Sequence, residues 1–279
     1  MDMIRIEPRC RVIVDNDWAG DPDGLLGLAH HALSPANRIA AVTSSLTNPM
    51  FGLPEGRSQR GACLAGELLR VLERPEPAAV HPGPDSPFTG QPRSSAAAGA
   101  IIETAMTADD LPLILVCAGP LTNVADALLL EPGIARLLTL AWVGGAARND
   151  DEYNYFTDPA AADFVLANQE LAVWQFPAET YRQMVASVAE LDHAFRVAGP
   201  AGEWLWEHFN SLEVPDFVKF GPVWCLGDSA PLVVTGLDDV TSVFTETSAR
   251  PSRRIYTGVD SRLVRADFFA KLHLHARRP

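Results

Sequence analysis

Cysteine is scarce in this chain, and what there is does not cluster. Cys10, Cys63, Cys117 and Cys225 are the only four in 279 residues. No two are close enough in sequence for a Cys-x-x-Cys metal or redox motif. Cys117 and Cys225 lie in apolar stretches and read as buried free thiols, so a cytosolic (cytoplasmic) home is the expectation. No apolar run is long enough to span a bilayer. The opening segment MDMIRIEPRCRVIVDND lacks the apolar core of a signal peptide. Cations are also short: 22 Lys and Arg stand against 35 Asp and Glu, a formal net charge of -13. That argues against a nucleic-acid or anionic-membrane surface, which needs a basic patch. Internal repeats, low-complexity tracts and heptads are missing too.

What is present is an ordinary globular mix, 47% hydrophobic and 20% charged, able to bury a sizeable core. Arg11–Val14 is short, apolar and β-branched, and it predicts a strand ending at Asp15. Leu25–Leu33 carries a helical apolar pattern. Ile39–Ser44 predicts a second strand, Gly56–Leu72 a helix, and Ala78–Val80 a short strand. Ala96–Met106 predicts a helix, Pro112–Cys117 a central parallel strand, and Thr122–Leu130 a helix. Leu140–Val143 and Leu171–Phe176 read as strands around a helix at Asp158–Ala167, opened by an Asp-Pro cap. From Ala178 to Phe209 the pattern is mainly helical, with no strand alternation before Val240–Phe244. Ala266–His275 reads as a closing helix. Alternating strands and helices predict one α/β domain over residues 1–279, an open, mostly parallel sheet with helices on both faces. In such sheets ligands bind beyond the carboxyl ends of the strands.

Those ends carry the chemistry. After the first strand come Asp15, Asp17, Asp21 and Asp23, four carboxylates within nine residues. A hard divalent cation, calcium or magnesium, would offset their repulsion. A solvated acidic loop is the plainer alternative. A phosphatase that forms an aspartyl-phosphate on Asp15 is another, although it leaves the two later acids unused. Asn48, in Thr47-Asn48-Pro49, offers a donor and an acceptor to a sugar hydroxyl or serves only as a turn residue. Thr122, after Gly119-Pro120, reads as a helix cap whose neighbouring carbonyls could bind a metal. Glu152 and Asn154, two apart, fall on one side of an extended segment or belong to a polar loop. Asp228, amid apolar residues, is either a helix N-cap or a metal ligand.

In this order the blocks resemble the nucleoside hydrolase family. The family's Asp-x-Asp-Pro-Gly-x-Asp-Asp turn is similar to Asp15 through Asp23 here, with Trp18-Ala19 in the Pro-Gly place and Pro22 inserted between the last two acids. AVTSSLTN (41–48), GPLTN (119–123), WVGG (142–145), the Glu152–Pro159 block and Asp228 match further family blocks. The resemblance implies a nucleoside hydrolase fold with a Rossmann-like core and hydrolysis of ribonucleosides to ribose and base. It implies Asp17 as general base and calcium ligand, Asp23, Asp228 and the Thr122 main-chain oxygen as further Ca2+ ligands, and Asp15 as a supporting acid. Asp21, Asn48, Glu152 and Asn154 would hold the ribose. A small-molecule nucleoside would be the partner, and a homo-oligomer (dimer or tetramer) the assembly. The chain departs from the pattern at Gly227, where many members carry a His that helps protonate the leaving base. His208, Trp18, Trp204, Trp206, Trp224 and Tyr181 are candidates for stacking or protonation instead. A non-catalytic calcium- or nucleoside-binding protein on the same scaffold is the rival from another class.

Overall fold

The first strand has two buried faces, and the architecture follows from them. In the computed structural model, which describes residues 5–20, 22–52, 55–74, 79–146, 152–211, 221–248 and 251–277, β1 spans Cys10–Asn16 and every one of its residues is buried. Val12 and Val14 join one hydrophobic core and Ile13 the other. A strand whose alternate side chains both meet apolar layers belongs in the middle of a sheet covered on both sides.

The chain continues through α1 (Asp23–Leu33), β2 (Asn37–Ser44), α2 (Arg57–Val71), β3 (Val80–Pro82) and α3 (Ala96–Met106). Next come β4 (Leu113–Cys117), α4 (Thr122–Leu130), β5 (Thr139–Val143), α5 (Tyr153–Thr157), α6 (Pro159–Ala167) and β6 (Ala172–Phe176). The last third holds α7 (Ala178–Tyr181), β7 (Val185–Ser187), α8 (Val188–Arg196), α9 (Gly199–Asn210) and β8 (Val223–Cys225). It closes with α10 (Leu232–Thr235), β9 (Val243–Glu246), β10 (Arg253–Gly258) and α11 (Ser261–Ala276).

Among the described residues, eight strands form one sheet in the order β3-β2-β1-β4-β5-β6-β10-β9. All neighbours pair parallel except the β9–β10 edge. The run 3-2-1-4-5-6 is that of a doubly wound sheet, and its direction of winding reverses between β1 and β4. There the chain leaves the two strands toward opposite faces, and a crevice opens at their carboxyl ends. The expected α/β class, parallel sheet and helices on both faces are all present.

Helices α3 and α4 have the expected bounds, and Asp158 caps α6 by accepting from the Ala161 amide at 3.1 Å. Other elements differ. The stretch from Ala178 is not purely helical: β7 pairs antiparallel with β8 in a separate two-stranded sheet. With three residues each, neither strand is long enough to show a period. The short strand expected at Ala78–Val80 is at Val80–Pro82, and Ala78 lies outside the described residues. The late strand begins at Val243, because Asp239–Thr241 form a 3-10 turn instead. Strand β10, unassigned from sequence, takes an inner place between β6 and β9.

Candidate functional site

Parity along β1 divides the acidic turn before any ligand is considered. Asp15 follows Ile13 onto the β4–α4 side of the sheet and is fully buried. Its carboxylate accepts from the Thr43 hydroxyl, from Asn123 Nδ2 at 2.7 Å and from the Cys117 thiol at 3.3 Å. Burial pushes this carboxyl up to about 6 against those three donors. A nucleophilic Asp15 would have to be reachable; with no exposed surface it is not, and the aspartyl-phosphate reading loses its residue.

Asn16 follows Val14 to the other side. Its Oδ1 accepts from the Asp17 amide at 2.8 Å, and its Nδ2 donates to Asp228 Oδ2 at 2.8 Å. It therefore ties the end of β1 to the turn at Gly227–Ser229, more than two hundred residues away. Asp23 adds a second tie, accepting from the Asp228 amide at 3.2 Å. Asp23 is the first residue of α1, where the helix dipole favours negative charge.

Asp17, Asp23 and Asp228 line one cavity of about 270 Å3 with Glu152 and Asn154. The floor comes from Ala118 and Val143 at the ends of β4 and β5, and the far wall from Tyr181, Trp224 and Cys225. This is the crevice that the sheet order creates. Tyr153, also on the wall, donates its hydroxyl to Asp17 Oδ2 at 2.7 Å.

Glu152 and Asn154 are not side by side on an extended segment, as the spacing suggested. Glu152 is the N-cap of α5, and Asn154 lies inside that short helix. Glu152 accepts from the backbone amides of Gly145, Asn154 and Tyr155 and from the Tyr181 hydroxyl. Gly145 holds the turn in place: its φ of 70° is one that side-chain-bearing residues rarely adopt. The Asn154 amide donates to the carbonyls of Ala118 and Val143, at 3.0 and 2.8 Å, which leaves its buried Oδ1 with no protein partner among the described residues. An unmet acceptor on a cavity wall suits a ligand hydroxyl.

The remaining expected residues fall elsewhere. Asn48 caps a 3-10 turn, accepting from Met50 N at 2.9 Å and donating to Thr157 at 2.8 Å; it is not among the residues that form the cavity wall. Thr122 does not cap α4 with its side chain. Its hydroxyl donates to Asp158 Oδ2 at 2.7 Å instead. Asp228 is not a helix N-cap but the middle of a 3-10 turn. Asp21 lies outside the described residues. Trp18 is 2% exposed and donates to the Thr43 carbonyl, so its ring is core rather than a stacking surface. His208 stacks on Trp204 at 3.6 Å and lines a different cavity, while Trp206 packs on Phe209. Of the candidate base contacts, Tyr181 and Trp224 reach the acidic cavity. Cys225 is half-buried, not buried, and all four cysteines are free. Asn16 and Tyr153 were not singled out from sequence, although both stand inside blocks that were.

Fold and cavity define a doubly wound α/β protein whose switch-point crevice presents carboxylates and amides against an aromatic wall. A family model described as inosine-uridine preferring nucleoside hydrolase matches residues 12–253, and the chain belongs to that family. Among curated proteins it is similar to the pyrimidine-specific ribonucleoside hydrolase RihB of Escherichia coli O17:K52:H18 (strain UMN026 / ExPEC), 31% identical over 141 residues. That match takes in 48% of this chain and 44% of the relative, so the chain spans less than half of that relative's length. Among solved structures it resembles an inosine-guanosine nucleoside hydrolase, with TM-score 0.72, 18% identity and 95% and 98% of the two chains covered. It also resembles a purine-preferring ribonucleoside hydrolase from Gardnerella vaginalis, with TM-score 0.69, 17% identity and coverage of 96% and 99%. At those identities the structures speak for the fold. No helix among the described residues is long and apolar enough to cross a membrane.

Proposed function

We propose that this chain, acting as a single domain, hydrolyses the N-glycosidic bond of ribonucleosides to give ribose and free base. One observation carries the reading: Asp17, Asp23 and Asp228 line a single crevice with Glu152 and Asn154 at the switch point of the sheet. One wall suits a polyhydroxylated sugar and the other, with Tyr181 and Trp224, a flat heterocycle.

The donor set is chemically suited to a hard cation. Three carboxylates and nearby carbonyls are oxygen ligands of the type that calcium takes. Among the described residues no three acidic, His or Cys side chains already converge into a metal cage. In this reading Asp17, Asp23, Asp228 and the Thr122 main-chain oxygen hold Ca2+. Such an ion, when bound, would supply the Lewis acidity that lowers the pKa of a nearby water. Asp17 accepts the proton of an attacking water, with the Tyr153 hydroxyl fixing its carboxylate. Glu152, Asn154 and Asp21 grip the ribose as it moves to an oxocarbenium-like state, so that remote hydroxyl binding favours bond breaking; Asn48 would join them only by leaving its Met50 and Thr157 partners. Asp15 supports the turn from beneath. A cytoplasmic, homo-oligomeric enzyme fits the same reading.

Replacing Asp17 with Ala removes base and ligand together, and turnover should fall by several orders of magnitude. Reducing-sugar release from a panel of purine and pyrimidine nucleosides measures it. Near-normal turnover in D17A would sink the assignment, and binding without release by the wild type would favour a non-catalytic nucleoside-binding protein. Calcium dependence is checked separately: chelation should abolish ribose release, and added Ca2+ should restore it.

A further inference from the structure

Glu152 is already saturated. A carboxylate has about four acceptor sites, and among the described residues four donors take them: the amides of Gly145 (2.6 Å), Asn154 (3.2 Å) and Tyr155 (2.9 Å), and the Tyr181 hydroxyl (2.9 Å). The three amides are locked in a turn and in the first turn of α5. Among the described residues, only the phenol is carried by a side chain that can turn away. A sugar hydroxyl can therefore reach Glu152 by displacing Tyr181.

The space beside Gly227 is the second observation. A Cβ built on Gly227 would lie 2.7 Å from Tyr181 Cδ2 and 3.4 Å from Cγ. The ring thus occupies the volume that any side chain at 227 would need. Glycine at 227 and tyrosine at 181 are one arrangement, and the ring has room only because residue 227 stops at its α-carbon. Tyr181 lies on the aromatic side of the cavity, with Trp224, where a base would stand. Burial, and then the Glu152 carboxylate beside it, push the phenol well above its usual range, so it keeps its proton at neutral pH.

Resting on the hydrolase reading above, we propose that Tyr181 is a substrate-switched residue. Before substrate binds it holds the place of a ribose hydroxyl on Glu152, and once displaced it donates its hydrogen bond to an acceptor atom of the departing base. The substrate class follows. Ribosides of heteroaromatic bases, which need help in leaving, depend on Tyr181. Ribosides of a good leaving group do not.

The test compares wild type, Y181F and G227A on natural ribonucleosides and on 4-nitrophenyl riboside, whose phenolate departs unaided, with melting temperatures alongside. Y181F removes only the hydroxyl. On nucleosides its kcat should fall at least tenfold while KM stays level or drops, because Glu152 becomes easier to reach. On the aryl riboside its kcat should stay within about twofold. G227A, which crowds the ring, should show the same substrate-dependent pattern. Equal losses on both substrates, or no loss on either, would overturn the proposal by making Tyr181 a mere prop or a bystander. A wild type that releases ribose from neither substrate would instead refute the hydrolase reading itself, so the two failures are distinguishable.

Discussion

Asn16 should be worth more than its size suggests, because it joins two distant parts of the crevice. In Asn16→Ala two hydrogen bonds vanish, one from Nδ2 to the Asp228 carboxylate and one from the Asp17 amide to Oδ1, both at 2.8 Å. A bond to a charged group contributes about 1.5–3 kcal/mol and a neutral one about 1 kcal/mol. The side chain is 3% exposed, so water does not readily replace either. The sum is a loss of about 2–4 kcal/mol, read as a shifted denaturant midpoint at unchanged slope. Asn16→Asp separates the charge from the volume. It sets one carboxylate oxygen where an amide donor met Asp228, and two charges at that distance repel by about 6 kcal/mol at an effective dielectric of 20, before relaxation. That variant should be the less stable of the two at pH 7 and recover as the pH falls and one acid of the pair takes up a proton. The Ca2+ affinity of N16A, followed by calorimetric titration, should drop about 10–100-fold, as for other residues that orient a ligand. If N16A matches the wild type within about 0.5 kcal/mol, or N16D shows no pH-dependent recovery, the clasp between β1 and the 227–229 turn carries no energy and the reasoning fails.

Two further predictions concern stability alone. His31 is buried, donates Nδ1–H to the Gly27 carbonyl and pairs Nε2 with the Thr235 hydroxyl, and burial lowers its pKa to about 3. The unfolded chain, with its His near 6.5, then binds more protons between those two values. The stability that neutral His31 supplies is full above pH 6.5 and lost as pH falls toward 3, about 5 kcal/mol in all at 1.36 kcal/mol per unit. His31→Gln should flatten the slope of stability against pH in that window, as measured by urea denaturation at pH 7, 5 and 4; a parallel slope would show that His31 does not titrate. Gly202 lies in α9 with its α-carbon against α8, where an added Cβ would stand 2.1 Å from the Phe195 carbonyl oxygen. Because that obstacle is backbone, Gly202→Ala should cost about 1–3 kcal/mol or more, and a melting temperature equal to wild type would contradict the packing.

How much could be read in advance depends on where the signal resides. The parallel sheet with helices on both faces was within reach because its central strands are apolar on both faces: Leu113–Cys117 is buried at every position, and such a run has few other uses. Helices α3 and α4 have the bounds their sequences predict; Gly119-Pro120 marks the start of α4 in the sequence, and the structure adds Ser95 as the cap of α3, accepting from the Ala98 amide. Strand β10 was invisible for the opposite reason. Its sequence RRIYTG puts two arginines in a strand, and they are accommodated by tertiary contacts, Arg253 on the carbonyls of Leu166 and Asn168 and Arg254 over the rings of Phe244 and Trp174. Strands β7 and β8 stabilise each other across some forty residues, and neither carries the pattern alone.

The site shows the same division. Residue types at strand ends marked Asp17, Asp23, Glu152, Asn154 and Asp228, and all five meet at one cavity. Spacing alone could not tell what else each carboxylate does. Glu152 looked like half of a pair facing a sugar, yet three of its four acceptor sites hold up the Gly145 turn and the start of α5. The acidic turn shows why. A strand alternates its side chains, so consecutive residues at its end are sent to different layers: Asp15 down among Thr43, Asn123 and Cys117, Asn16 across to Asp228. Asp17, beyond the last ladder pair of β1, escapes that alternation and reaches the crevice. Inserting Pro22 does not move the next acid off the site, because a helix begins there, and its first residue, Asp23, is held against the Asp228 amide. Among the described residues of the turn, one carboxylate therefore serves the fold and two serve the cavity, by a rule of strand geometry that needs no knowledge of the ligand.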